Sequence, residues 1–204
     1  MGNNYDLYEL FTLVIIVSFL GFCLENLFIA LRRGYIDNRG MNLPFLLGYG
    51  LAVLGFYTVI GTPKAPKIGI LQDVSPAAAI FGYFVLYTAA VSIGEMALGS
   101  FVEHKFGFEY WNYESIPFHI TKYTSLPTSV GFGLAITVFM NHCIDPMMSF
   151  VHTLPDPLIG TVSVALMILL SADFISSFHY MYKNHGLNIK WTKKVELSFR
   201  RRKI

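Results

Sequence analysis

Three carboxylates stand inside runs of apolar residues: Glu25, Glu95 and Asp173. An ionisable group in such a run costs a few kcal/mol or more in hydrocarbon, so it normally faces a protein interior and marks a functional site. Two chemistries fit. Desolvation favours the protonated form of a carboxyl group, which suits proton exchange during transport. A pair of carboxyls can also serve as general acid and base. Glu25 lies seven residues before Arg32, Glu95 eight before Glu103, and Asp173 ten before Lys183. On a helix each acid is then about 10–15 Å from a cytoplasmic marker. The expectation is one polar cavity, open toward the cytoplasm and lined by Glu25, Glu95 and Asp173. A purely structural role stands beside it: an acid bonded to a neighbouring helix, a reading most natural for Asp173, the closest to its helix end.

Two polar loops follow the first two acids. The first carries Asn38 and Arg39, the second Trp111, Asn112 and Tyr113. Dense aromatics at a membrane edge form an interfacial belt. The functional alternative makes Asn38 and Arg39 a gate or a contact for an anionic headgroup, with Trp111, Asn112 and Tyr113 packed over the cavity mouth. Other constellations carry less. His142, Asp145, His152 and Asp156 lack the tight spacing of a metal site. Cys23 and Cys143 are lone thiols in apolar runs, neither a disulfide framework nor a CxxC site. There is no Walker A motif, no dinucleotide fingerprint and no GxSxG elbow, so the chain hydrolyses no ATP by itself. Nothing in the sequence calls for a cofactor, a metal ion or nucleic acid, and no motif singles out a catalytic residue.

These residues must be positioned by membrane helices. Of the 204 residues 54% are hydrophobic and 14% charged, whereas a soluble domain has about 25% charged residues to cover its surface. Five apolar runs approach or reach the roughly 20 residues needed to cross a bilayer: near 10–31, 43–62, 77–100, 126–144 and 157–178. The expected fold class is therefore an all-α, polytopic membrane protein of five transmembrane helices, a single domain over 1–182 with a basic cytoplasmic tail over 183–204. Pro44, Pro76, Pro127 and Pro157 stand at or near helix starts, where a missing N–H costs nothing. Of the 15 lysines and arginines, all but Lys64 and Lys67 fall on one side if the N-terminus is outside. That positive-inside bias predicts a multi-pass protein of the cell membrane with a cytoplasmic C-terminus. The N-terminal segment, with Asp6 and Glu9, lacks the basic region of a signal peptide, so the first run should be retained. The basic tail around Trp191 is also suited to anionic lipid.

The chain repeats itself. Leu43-Pro-Phe-Leu-Leu-Gly-Tyr-Gly-Leu-Ala52 and Leu126-Pro-Thr-Ser-Val-Gly-Phe-Gly-Leu-Ala135 share six of ten residues. Each copy follows a glutamate-bearing helix, Glu25 or Glu95, and a polar loop. Two helices return the chain to its starting side, so the two helix–loop–helix units should be parallel, related by an axis along the membrane normal. The glycines of each copy allow close helix approach.

Over about 19–150 the sequence resembles the type IV ABC-transporter family of membrane proteins (CmpB-like). The resemblance rests on Glu25, Asn38-Arg39-Gly40, Glu95, and Trp111-Asn112-Tyr113 ahead of Ser125-Leu126-Pro127. After Gly40 the chain departs from the family's Gly-Pro and Pro-x-Tyr-Gly, keeping Pro44 and Gly48-Tyr49-Gly50. The resemblance implies a permease-like role and names no substrate. Combined with the carboxylates, it favours a small transporter with a carboxylate-lined cavity and an option for proton coupling. An intramembrane enzyme acting on a lipid or isoprenoid, and a non-catalytic partner subunit, are the alternatives. Expected partners are membrane lipids, a second copy of the chain, or a separate membrane or ATPase subunit.

Overall fold

The computed structural model describes residues 5–195, except the side chains of Asp156 and Leu158. In chain order the elements are α1 (Leu7–Arg33), β1 (Tyr35–Asp37), α2 (Leu47–Val59), a 3₁₀ turn (Gly69–Leu71), α3 (Pro76–Phe106), β2 (His119–Thr121), β3 (Thr124–Ser125), α4 (Leu126–Val138), a π-helical turn (Phe139–Cys143), α5 (Ile144–His152), α6 (Asp156–Asn184) and β4 (Thr192–Lys194). Among the described residues four helices are long and apolar enough to cross a membrane: α1, α3, the continuous rod Leu126–His152, and Ile159–Asn184 within α6.

Local signals explain the ends. Asp6 and Glu9 form a reciprocal capping box at the start of α1, and Gly34 closes it in the left-handed conformation at φ 78°. Such a box satisfies two orphan amides at once. Ser75 caps α3 with Pro76 following, and Gly107 ends it at φ 76°. Ser125 caps α4 in the same way.

Several expected boundaries differ, and α3 runs past residue 100 to Phe106. The second apolar run forms a helix of only 13 residues, about 20 Å long, and Pro44 precedes it instead of sitting in its first turn. The backbone amides of Asn42 and Leu43 are taken by the Asp173 carboxylate at 3.1 and 3.0 Å, while Leu46 N donates to Ser18 O at 2.9 Å. That stretch is thus bound to α1 and α6 and does not coil. The fourth run continues past residue 144 to His152. Pro146 lacks an amide donor and would crowd the carbonyl of His142 in a regular helix. The π turn directly before α5 widens the backbone at that point and lets the rod continue. Finally, α6 reaches Asn184, and the first part of the supposed tail is structured. β4 pairs antiparallel with β1, Ile36 opposite Lys193, so short strands supplement the helices. Arg200, Arg201, Arg202 and Lys203 of that tail lie outside the described residues.

Packing organises the helices as two antiparallel hairpins, α1 with α2 and α3 with α4, while α6 lies along α1. The C-terminal ends of α1, α3 and α6 share one side: Tyr110 Oη donates to Arg39 O at 3.0 Å, and His185 Nδ1 lies 2.5 Å from Phe106 O. Each hairpin closes on a glycine. A Cβ on Gly50 would run into Val14 O and Ser18 Oγ, and one on Gly133 into Thr88. Cβ atoms on Gly48 or Gly131 meet nothing within 4 Å. Gly50→Ala and Gly133→Ala are therefore expected to destabilise by about 1–3 kcal/mol through overpacking. Gly48→Ala and Gly131→Ala should be neutral or stabilising by up to about 1 kcal/mol from helix propensity. Thermal unfolding of the four variants in one detergent checks the contrast.

Candidate functional site

Glu25 leaves α1 a little more than two turns before its C-terminus and points between the hairpins. Its Oε1 accepts from Tyr49 Oη at 2.5 Å, and its Oε2 lies 3.7 Å from Arg39 Nη2. Arg39 reaches it from the loop after β1, held there by a left-handed backbone at φ 50° and by its own amide donating to Asp37 Oδ1 at 2.8 Å. The guanidinium also approaches Asp37 at 3.5 Å, and its side chain is only 11% exposed. Burial works against the Arg39 charge, but Glu25, Tyr110 and Asp37 outweigh it and hold the group above its ordinary value. Arg39 Nε is buried without a hydrogen-bond partner. Burial also pushes the nearby Tyr110 phenol up to about 12.

Glu95 occupies α3 and has a different escort. Thr124 Oγ1 donates to its Oε2 at 2.6 Å, and Tyr113 Oη lies 3.4 Å from its Oε1. Both donors are neutral. The loop that brings Tyr113 is fixed by three bonds: Tyr113 N to Lys122 O at 2.8 Å, Trp111 Nε1 to Tyr123 O at 2.7 Å, and Lys122 Nζ to Glu103 at 2.6 Å.

The two carboxylates line one cavity of about 670 Å³ between the hairpins, with Arg39, Trp111 and Tyr113 beside them and apolar side chains of α1, α2, α3, α4 and α6 around the rest. A crevice of about 150 Å³, lined by Arg32 and Arg33 among others, shares Glu25, Arg39, Tyr110, Trp111 and Tyr113 with it. These five side chains therefore separate a large apolar space from a small basic one.

The remaining expected site residues sit elsewhere. Asp173 does not line the cavity. It accepts from Asn42 Nδ2 at 2.6 Å and Ser177 Oγ at 3.2 Å, besides the two backbone amides given above. Four donors make it the anchor of the segment leading into α2. Asn38 is buried and staples the loop: its Nδ2 donates to Met41 O at 2.6 Å and Asn188 O at 2.7 Å, and its Oδ1 accepts from Lys190 N at 3.0 Å. Asn112 lines only the small crevice, with its amide on Glu109 at 3.0 Å.

Sequence reasoning missed Tyr49, Asp37, Tyr110 and Thr124 as site members. Tyr49 had a signal, since it occupies the repeat position where the second copy has Phe132. A hydroxyl present in one copy and missing from the other marks the carboxylate that needs a donor there. The two rings meet, with centroids 6.1 Å apart. Asp37 and Thr124 carried no signal, because their contacts arise only when loops fold back over helices.

Long apolar helices with carboxylates in a cavity between them define a multi-pass helical membrane protein. The chain belongs to the family described as "Putative ABC-transporter type IV", whose model matches residues 12–178, and so is related to ABC-transporter membrane proteins. No curated protein and no solved structure matches it.

Proposed function

We propose that this chain is a permease-like membrane protein whose substrate occupies the cavity between the two hairpins, with Glu25 and Glu95 as its proton-exchanging groups and the Glu25–Arg39 pair as the gate to the crevice beyond. The observation that carries the reading is that one acid from each hairpin reaches one cavity. Asp173 supports the architecture and not the substrate. Trp111 and Tyr113 cover the mouth, while Asn38 and Asn112 hold the loops that present them. A separate ATPase subunit or a second copy of the chain supplies what five helices alone lack.

The same proposal includes five crossings and an internal repeat. α2 is short, yet Tyr5 of the segment before α1 packs on Tyr57 near the end of α2, ring centroids 6.2 Å apart, so α2 returns nearly to the level at which α1 begins. The parallel repeat is supported by contacts of the same kind in both hairpins. Ser18 meets Gly50 as Thr88 meets Gly133, and Ser18 is separated from Thr88 by the same number of residues as Glu25 from Glu95. With the N-terminus outside, single cysteines at Lys67 and Thr153 should react with impermeant maleimide on intact cells, and those at Glu114 and Lys194 only after permeabilisation. Labelling of Lys194→Cys from outside removes the orientation.

Gly48 provides the functional test, because it lines the cavity and has open space before it. Mass spectrometry of small molecules retained by the purified protein should show a species that is lost when Gly48→Phe fills the space. Loaded into proteoliposomes, that species should cross the membrane unchanged. Chemical conversion in place would instead establish the intramembrane enzyme, and an identical set of molecules on both proteins would remove the cavity from the function.

A further inference from the structure

The charged inventory of the large cavity is short and unbalanced. It holds two carboxylates and one guanidinium, and that guanidinium already faces Glu25 at 3.7 Å and Asp37 at 3.5 Å. Glu95 meets the hydroxyls of Thr124 and Tyr113 and of Ser129, all neutral, and among the described residues no ion pair includes it. The rings of Tyr49, Trp111, Tyr113 and Phe132 line the same space. Aromatic faces attract a cation, most strongly where water is excluded.

The rest of the wall is apolar and open on one side. Leu20 and Leu27 of α1 and Leu98 of α3 line the cavity yet remain 45%, 56% and 46% exposed. The space therefore opens laterally between α1 and α3, toward hydrocarbon once those helices span a bilayer. Its volume falls in the range of about 300–1,000 Å³ usual for small-molecule sites.

Charge complementarity selects the occupant. An anionic headgroup would face two carboxylates across one guanidinium that is already shared. A neutral amphiphile would give Glu95 no more than the neutral donors it already has. We infer that the cavity takes a lipophilic monocation, a quaternary ammonium or an alkylamine, with its charged head between Glu95 and the surrounding rings and its apolar tail along Leu20, Leu27 and Leu98. This assignment rests on the proposed reading of the cavity as the substrate site and gives that substrate a chemical class. No step requires Arg39 to leave Glu25, so the gate stays closed while the head is bound.

The two tryptophans of the chain are Trp111 and Trp191, so Trp191→Phe leaves one reporter on the cavity wall. The test titrates that protein, in neutral maltoside detergent, with octyltrimethylammonium, octyl phosphate and octyl glucoside, reading Trp111 fluorescence. Saturable binding of the cation at least tenfold tighter than the other two, weakened at least tenfold by Glu95→Gln, is the expected result. Equal or tighter binding of octyl phosphate overturns the assignment, as does a Glu95→Gln protein that binds the cation as the parent does. If Glu95→Gln fails to fold, the charge preference of the parent decides alone. Should all three probes bind alike and all be lost in Gly48→Phe, the cavity remains the substrate site and only its cation preference falls. Should none bind, both readings fall together.

Discussion

Replacing Arg39 by Met is expected to destabilise the protein more than any other single change to the site. The guanidinium stands between Glu25 and Asp37, and removing one partner of a buried ion pair leaves uncompensated charge costing about 3–5 kcal/mol. Arg39→Lys should recover little. A single ammonium cannot span two acids with the planar fork of an arginine, and the left-handed backbone at Arg39 fixes where the side chain starts. Adding Glu25→Gln to Arg39→Met should restore part of the loss, because it deletes one of the two stranded charges. Thermal unfolding of the single and double variants measures the coupling. Additive losses would mean that Glu25 and Arg39 do not hold each other.

The second large effect concerns activity. Gln keeps the size of Glu and most of its hydrogen bonding but does not titrate. In Glu25→Gln the amide oxygen still accepts from Tyr49, and in Glu95→Gln it still accepts from Thr124. Both proteins should fold. If two carboxylates share one cavity, their protons are exchanged by the pair and not by either residue alone. Each single variant should then shift the pH dependence of flux, and the double variant should abolish it together with at least about an order of magnitude of the flux itself. The measurement is uptake of the retained species into proteoliposomes across a pH series. Full, pH-responsive flux in the double variant would leave the carboxylates as packing residues.

The large features of this protein were readable from composition and pattern. Apolar runs flanked by Ser75-Pro76 and Ser125-Leu126-Pro127 became α3 and α4, because an N-cap hydroxyl and an early proline act locally and need no tertiary partner. Glu25 and Glu95 both line the space between the hairpins; what the sequence offered for them was only that carboxylates in apolar helices have few other places to go. Asp173 met the same criterion and does not line that space. What separates it from Glu25 is a pair of backbone amides, at Asn42 and Leu43, that arrive from over a hundred residues away. Periodicity holds no record of such a contact. The short α2 was illegible for the same reason: its first expected turn is unwound by a carboxylate on α6. Asn38 and Arg39 looked like equivalent loop residues, but the fold pairs one with backbone and the other with charge. Only their relation to Lys190 and Glu25 distinguishes them.

The central claim is that the space between the two hairpins, bounded by Glu25 and Glu95, is the substrate site. An experimental structure of the protein in lipid nanodiscs tests it most directly. Density for an elongated molecule is expected inside this cavity, its head against Glu95 and the Tyr49, Trp111 and Tyr113 rings, with both carboxylates turned inward. A cavity closed by direct packing of α1 on α3, with Glu25 and Glu95 facing lipid on opposite sides of the bundle, would contradict the account.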